Sequence, residues 1–195
     1  MEKPLNIIFL GLSGSGKGTQ VQLLSEVVRK HHPMHIISTG DLFRRLQEYT
    51  TDVGKRVKRI LQEGGLPFDD LATTLWMHEI AFRVHEHEGI IFDGAPRRLD
   101  EAKNIDRFLD FLRRKENTKV VYLSVSPEEI TKRLLNRGRA DDNLTAIEGR
   151  IDYFNKSVLP VLDYYRQEGR LIEINGERSS EEVHRDIVKA LGLEE

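Results

Sequence analysis

The fold is decided by the stretch GLSGSGKGTQ at residues 11–20, which directly follows an apolar run at residues 5–10. Glycines let a backbone curl so that successive N–H groups point inward, and they let an anion approach without meeting a Cβ atom. An amphipathic stretch follows, which predicts a helix that begins near Thr19 with its positive end towards that anion. Lys17 supplies a full positive charge for the outer phosphates. This order of strand, glycine-rich turn and helix predicts a binding site for a nucleoside triphosphate.

Composition excludes several other classes of protein. The chain has 195 residues, enough for one domain, with 30 Lys and Arg against 32 Asp and Glu. This near balance argues against a general nucleic-acid or membrane-surface partner. The absence of cysteine excludes disulfides, thiolate catalysis and a structural zinc site built on cysteine. The chain start leaves no room for a signal peptide and no apolar run is as long as a membrane span, so we expect a cytoplasmic protein.

Short apolar runs alternate with longer amphipathic segments along the chain. They lie at residues 5–10, 35–37, 90–92, 120–125 and 171–174, and several show no polar alternation, as in strands buried on both faces. This alternation predicts an α/β fold with a five-stranded parallel sheet, helices on both faces, and ligands at the carboxyl ends of the strands.

Local signals place several helices. Ser126 followed by Pro127 and Glu129 predicts a helix start closed by a capping box, and Ser179 with Glu182 has the same spacing. Residues 41–88 are predicted to be helical throughout, as an excursion over the sheet edge in which Trp76 and Phe82 pack. On such a helix His85 and His87 would diverge, which argues against a metal site there.

Four further motifs stand at the ends of predicted elements. They read STGDLFR at residues 38–44, GGLP at 64–67, IFDGAPR at 91–97 and RLLNRGRADDN at 133–143, ahead of Arg150. Together with GKGTQ at 16–20, these motifs closely resemble those of the adenylate kinase family of nucleoside monophosphate kinases. The resemblance extends over essentially the whole chain.

The resemblance implies a P-loop NTPase fold, a division of the chain and a reaction. The core would comprise residues 1–37, 89–136 and 142–195, with an excursion at 38–88 that binds the nucleoside monophosphate (NMP) and a very short lid at 137–141. The reaction would be reversible, Mg²⁺-dependent phosphoryl transfer from ATP to AMP, giving two ADP, in a monomer. Such transfer needs charge neutralisation, positioning and exclusion of water, and the acceptor is already an ionised phosphate oxygen that needs no general base. Loop arginines suit that chemistry, because their planar fork grips two phosphate oxygens.

The resemblance also implies roles for individual residues. The ATP site would comprise Gly14, Ser15, Gly16, Lys17, Gly18, Thr19, Arg133, Arg137 and the backbone around Arg178. The NMP site would comprise Thr39, Arg44, Gly65, Leu66, Pro67, Gly94, Arg97, Glu101, Arg139 and Arg150. The residues expected to act in catalysis are Lys17, Arg97, Arg137, Arg139 and Arg150. Asp93 would hold Mg²⁺ through water, while Asp141 and Asp142 would hinge the lid or orient arginines.

Two departures from the family pattern affect function. Glu101 stands where the family has a glutamine that reads the adenine edge, and an ionised carboxylate only accepts hydrogen bonds, which suits guanine better. Only three residues separate Arg137 from Asp141, and so short a lid predicts some ATP hydrolysis without acceptor. Ala95 stands where the family usually has an aromatic residue, and Pro67 lies one position away from the usual proline of the family. Both changes alter the surroundings of the acceptor.

Three alternatives therefore stay open. The first is a kinase for another monophosphate (GMP, CMP or UMP), and the second is a P-loop kinase for a small metabolite. The third is a nucleotide-sensing binding protein whose catalysis has decayed.

Overall fold

The computed structural model describes residues 4–30, 32–62, 67–138 and 142–194. Within them, five strands form one sheet in the order β2-β3-β1-β4-β5, and every neighbouring pair is parallel. The strands are β1 (Asn6–Leu10), β2 (Met34–Ser38), β3 (Gly89–Asp93), β4 (Thr118–Ser124) and β5 (Leu171–Asn175). The predicted parallel α/β sheet is confirmed, and each strand lies on the apolar run that predicted it.

Helices cover both faces of the sheet, as predicted. The described helices are α1 (Lys17–Val28), α2 (Thr39–Leu46), α3 (Asp52–Gln62), α4 (Asp69–Arg83), α5 (Leu99–Phe111), α6 (Pro127–Arg137), α7 (Leu144–Tyr153), α8 (Leu159–Gln167) and α9 (Ser180–Ala190). Alternate residues of β1 divide the core, because successive side chains of a strand point to opposite faces. Ile7 belongs to a buried cluster that includes residues of α1 and α9, whereas Ile8 belongs to a second cluster that includes residues of α2 and of α4 to α8.

The strand order brings several loops to one edge of the sheet. β1 lies between β3 and β4, so the glycine-rich loop that follows Leu10 leaves the middle of the sheet. Asp93 ends β3 in register with Phe9 of β1 on one side and with Ser38 of β2 on the other. The loops after β1, β2 and β3 therefore meet at the carboxyl edge, where α/β proteins bind their ligands.

The segment at residues 41–88 differs from the prediction. Its described residues contain the three helices α2, α3 and α4, but residues 47–51 and 84–88 are not helical, so the segment is not helical throughout. Trp76 is fully buried, but against the sheet residue Phe92, with ring centroids 6.0 Å apart in an edge-on arrangement. Phe82 is 76% exposed and packs into no core, so the prediction for it was wrong. The rings of His85 and His87 stack 5.8 Å apart instead of diverging, because a turn and not a helix carries them.

One predicted capping box forms and the other does not. At α9 the Ser179 side chain and the Glu182 carboxylate each accept the backbone N–H of the other residue. At α6 the Ser126 side chain accepts from the Glu129 N–H, but the Ser126 N–H donates to Glu177, at 2.8 Å. The Glu129 carboxylate instead accepts a hydrogen bond from Arg133, one helical turn later. A residue distant in sequence thus replaces the local partner.

Candidate active site

The glycine-rich loop is shaped by glycine backbone conformations. Gly14 (φ +90°) and Gly16 (φ +95°) lie in the left-handed region that L side chains rarely adopt. A Cβ atom on Gly14 would lie 2.9 Å from the side chain of Leu134, because α6 packs directly against the loop. Gly16 caps α1, which begins at Lys17, two residues earlier than predicted.

The inner surface of this loop is open to a ligand. Cβ atoms built on Gly16 or Gly18 would meet nothing within 4 Å, and Gly18 and Thr19 are exposed. The buried Ser15 hydroxyl has no hydrogen-bond partner in the described part of the chain. A helix N-terminus bordered by bare glycines and an unsatisfied hydroxyl suits a bound phosphate chain.

Lys17 lies at the centre of a group of charges. Its Nζ atom donates to the backbone oxygens of Gly11, at 2.8 Å, and Leu12, at 2.9 Å. Burial lowers the pKa of Lys17 to about 8, Asp93 opposes that shift, and the positive charges of Arg97 and Arg137 add to it. Charged groups at the end of β3, in the loop that follows it and at the end of α6 are therefore within electrostatic reach of the Lys17 ammonium group.

The loops after β2 and β3 interlock beside the glycine-rich loop. The buried Thr39 hydroxyl donates to the backbone oxygen of Asp93, at 3.5 Å. Gly94 has φ +87°, and a Cβ there would lie 2.8 Å from Thr39 Oγ1, so this position requires glycine. The Arg97 Nε atom donates to the Gly94 oxygen, at 2.9 Å, and the Arg97 side chain is exposed.

Glu101 and Arg44 lie on either side of this junction. Glu101, in the first turn of α5, accepts the backbone N–H of Arg97 at 2.7 Å. The carboxylate therefore holds the loop that carries Arg97. Arg44 pairs with Asp41 one turn earlier on α2, at 2.5 Å, where both side chains are more than half exposed. This pairing holds the pKa of Asp41 below its usual range.

A buried carboxylate joins two of the predicted catalytic arginines. Asp142 accepts hydrogen bonds from the Nε and Nη2 atoms of Arg137, both at 2.8 Å, and from the Nη1 atom of Arg150, at 3.0 Å. The Asp142 side chain is fully buried, whereas each arginine is about one-third exposed. Asp142 thus connects the end of α6 with α7, in the arginine-orienting role that was one of its two predicted functions.

The residues predicted to border the ATP base follow β4 and β5 in the chain. Arg133 Nε donates to Glu129 at 2.8 Å, within α6. The Arg178 side chain pairs with Asp186 of α9.

Some predicted residues cannot be placed in this way. Gly65, Leu66, Arg139 and Asp141 lie outside the described residues, and Pro67 is half-buried just before α4. Conversely, the structure reveals two carboxylates that the sequence analysis did not connect with the site. Glu177 reaches Ser126 across 51 positions and Glu79 reaches Arg45 across 34. Local spacing contains no signal for such distant pairs.

The donor groups present suit a hard cation that retains other ligands. Asp93 and Asp41 both line a pocket of about 350 Å³ that also reaches Gly18. In the described ranges there is no group of three or more His, Cys, Asp or Glu able to hold a metal. Mg²⁺ typically takes one or two carboxylates and completes its shell with water and phosphate oxygens, so these residues fit it. Gly18 leaves room where many such loops place a hydroxyl.

The fold and this site define a P-loop nucleotide-binding protein. The family model for adenylate kinase matches residues 9–170. An adenylate kinase from Azobacteroides pseudotrichonymphae is 37% identical over 194 residues, covering 96% of this chain and 97% of that protein. Those from Oenococcus oeni and Thermus thermophilus are each 36% identical, covering 89% and 96% of this chain and 92% and 97% of their own lengths. The chain belongs to the adenylate kinase family. None of the described helices is long and apolar enough to cross a membrane.

Proposed function

We propose that this chain catalyses reversible, Mg²⁺-dependent transfer of the terminal phosphoryl group of ATP to AMP, giving two ADP. One observation carries the proposal. The charges of Asp93, Arg97 and Arg137, which lie at the end of β3, in the loop after it and at the end of α6, all act on the ammonium group of Lys17 in the glycine-rich loop. Positive charge from several directions is what a phosphoryl group needs when it passes between two nucleotides. Every relative cited above is named an adenylate kinase, which supports the same reaction.

The ATP phosphates lie on the open face of the loop after β1. The backbone N–H groups from Gly14 to Thr19 and the Lys17 ammonium hold them, and Arg137 contacts them from the end of α6. The base lies on the β4–β5 side of the sheet, covered by Arg133 and bordered by the backbone at Arg178. This assignment agrees with the topology, since the loops after β4 and β5 stand on that side of β1.

The monophosphate lies on the opposite side, towards β3 and β2. Arg44 and Arg97 bind its phosphate, Thr39 and Gly94 belong to the same site, and we assign Gly65, Leu66 and Pro67 to the surroundings of its base. The interlocked backbone at Thr39 and Gly94 gives these groups a rigid support. In this arrangement residues 38–88 are the acceptor-binding excursion and residues 137–141 the lid, with the rest of the chain as core.

Arginines perform the chemical step. The attacking phosphate oxygen is already ionised, so the protein supplies charge stabilisation and alignment in place of a general base. Arg139 and Arg150 bridge the donor and the acceptor while charge develops between them, and Arg137 binds the ATP phosphates. Asp142 holds two of these arginines in place before substrate arrives, so little reorganisation is needed during transfer.

Asp93 would hold Mg²⁺ through water, next to the phosphates on the loop after β1. When bound, the ion neutralises phosphate charge and helps to align the reacting oxygens. We further propose, from the family resemblance, that the protein acts as a monomer in the cytoplasm.

A second acceptor, GMP, is favoured by Glu101. Its carboxylate only accepts hydrogen bonds, and guanine offers two donors at the edge where adenine offers one donor and one acceptor. One Glu101 oxygen already accepts the Arg97 N–H, so Glu101 has a structural function in the loop that carries Arg97 as well as the proposed function of selecting the base. Glu101→Gln tests both. An unchanged ratio of AMP to GMP turnover in this variant would show that Glu101 does not select the base.

The direct test is steady-state transfer from ATP·Mg²⁺ to AMP, GMP, CMP, UMP and dTMP, with an acceptor-free control. Strong turnover with AMP alone is the expected result. Preference for another monophosphate would keep the mechanism and change the acceptor. ATP binding without transfer to any of them would establish a binding protein instead. The acceptor-free control also measures the ATP hydrolysis that the short lid predicts, and hydrolysis at background level would refute that prediction.

A further inference from the structure

Glu79 is a buried carboxylate on α4 that the proposed mechanism does not use. Its side chain is only 11% exposed, and three basic side chains surround it. They are His35 of β2, at 3.4 Å, Arg45 of α2, at 3.4 Å, and Arg83 of α4 itself, at 3.7 Å. A buried carboxylate is costly unless it is paired, so the charge of Glu79 depends on these contacts, although water reaches both arginines.

Two of the three contacts cross between elements. His35 and Arg45 join α4 to β2 and to α2, whereas Arg83 lies one helical turn from Glu79 and joins α4 only to itself. Arg45 alone therefore ties α2 to this carboxylate through a side chain, with a hydrogen bond from its Nη2 atom, among the contacts in the described part of the chain. We call Glu79 with His35 and Arg45 the Glu79 joint.

The helix that the joint holds carries the acceptor residues. α2 is only eight residues long and begins at Thr39, and Arg44 lies next to Arg45 on it. Asp41 and Arg45, one turn apart, face the same pocket of about 350 Å³ that reaches Gly18 and Asp93. Neighbouring residues of a helix are about 100° apart, so a rotation of α2 that releases Arg45 also turns Arg44.

We propose that Glu79 is a positioning residue for the nucleoside monophosphate, which fixes the rotation of α2 by holding Arg45, so that Thr39 and Arg44 face the acceptor phosphate. This inference rests on the proposed function of those two residues. A misplacement of about 1 Å at such groups is enough to reduce binding and turnover markedly. ATP binds on other elements, so the joint affects the acceptor alone.

The test compares three variants by steady-state kinetics with ATP·Mg²⁺ and AMP, with thermal unfolding recorded for each. Glu79→Gln removes the charge of the joint, Arg45→Gln removes the tie to α2, and the double variant measures their coupling. Arg83→Gln is the matched control, because it removes a cation from the same carboxylate without affecting α2. Arg45 and Arg83 are about equally exposed, at 51% and 57%, so either variant is expected to fold.

We expect Glu79→Gln and Arg45→Gln each to raise the KM for AMP by about threefold to tenfold, as for the loss of one net hydrogen bond. The KM for ATP should stay within about twofold, and the double variant should resemble each single one. An unchanged KM for AMP in Arg45→Gln would overturn the proposal, as would an equal rise in Arg83→Gln. A lower unfolding temperature with unchanged KM values would also overturn it, because Glu79 would then stabilise the fold without positioning the acceptor residues.

The wild-type protein in the same assay separates this inference from the proposed function. If it transfers to another monophosphate, the proposed acceptor is wrong and the joint is judged on the KM for that monophosphate. If it transfers to none, the proposed reaction is wrong and the joint is judged on the dissociation constant for AMP in Arg45→Gln and Arg83→Gln.

Discussion

Replacement of Asp142 by asparagine should reduce kcat strongly while it lowers the free energy of unfolding only moderately. The change keeps the shape of a fully buried side chain but removes the negative charge that Arg137 and Arg150 share. Asparagine offers one acceptor oxygen and an NH₂ group that only donates, so it cannot receive both nitrogens of Arg137 and the nitrogen of Arg150. Both arginines should therefore leave their present orientation.

The cost in stability follows from the exposure of the partners. Breaking a fully buried ion pair costs about 3–5 kcal/mol, but these arginines are 31% and 28% exposed, so water screens part of the change. We expect the free energy of unfolding to fall by about 1–2 kcal/mol. The protein should remain folded, since whole domains are stable by about 5–15 kcal/mol.

The cost in rate should be larger. A charge-stabilising arginine in phosphoryl transfer contributes about a thousandfold or more, and misplacement by about 1 Å removes about a hundredfold. We therefore expect kcat for ATP and AMP to fall about a hundredfold in Asp142→Asn, measured at saturating concentrations of both substrates. The KM values should change much less.

Asp152→Asn is the matched control for this experiment. Asp152 lies on α7 with Arg150, and its pair with Lys156, at 2.7 Å, is 60% exposed on the aspartate side. The control should keep kcat within about twofold, because exposed ion pairs contribute little. A kcat within about threefold of wild type in Asp142→Asn would refute the reasoning that this carboxylate orients the arginines.

Three further predictions concern the loop after β1, its lysine and a buried arginine. Gly14→Ala should lower both kcat and thermal stability, because φ +90° strains alanine and its Cβ would lie 2.9 Å from Leu134. The control Gly149→Ala, inside α7 where a Cβ meets nothing within 4 Å, should leave kcat unchanged and raise thermal stability slightly, because alanine favours a helix. Lys17 carries its charge below its pKa of about 8, so the dissociation constant for ATP should rise as the pH increases through that value, and a constant affinity from about pH 7 to about pH 9.5 would contradict this. Arg114 donates to the backbone oxygens of Glu88, His85 and Glu86, so Arg114→Met should lower the free energy of unfolding by about 2–4 kcal/mol in urea titrations, and a loss under about 1 kcal/mol would show that water replaces these bonds.

The predictions that succeeded depended on local signals. The apolar run before the glycine-rich loop predicted β1, and its glycines predicted a curled turn, in which the structure gives Gly14 and Gly16 positive φ. The capping box at Ser179 formed because both partners lie within one helical turn. In each case neighbouring residues contain the whole interaction, so their spacing is sufficient evidence.

The failures arose where distant residues competed for a local group. Glu129 has the right spacing to close a box at Ser126, yet Arg133 takes its carboxylate and Glu177 takes the Ser126 N–H. Phe82 has a large apolar side chain of the kind found in cores, but the face of α4 that packs on the sheet carries Trp76 and leaves Phe82 in solvent. The outcome in both places depends on which element packs beside the helix, which local spacing does not encode.

The amino-acid sequence by itself determined the strands, the turn that follows β1 and the chemical types of the site residues, because strand burial and glycine conformations are properties of short segments. Only the tertiary structure decided which charges meet. Lys17 lies within electrostatic reach of Asp93 because β1 pairs with β3, and Glu79 meets Arg45 across 34 positions because α4 packs against α2. Electrostatic pairing depends on distance in space, and in a parallel sheet that distance is set by the strand order and not by separation along the chain.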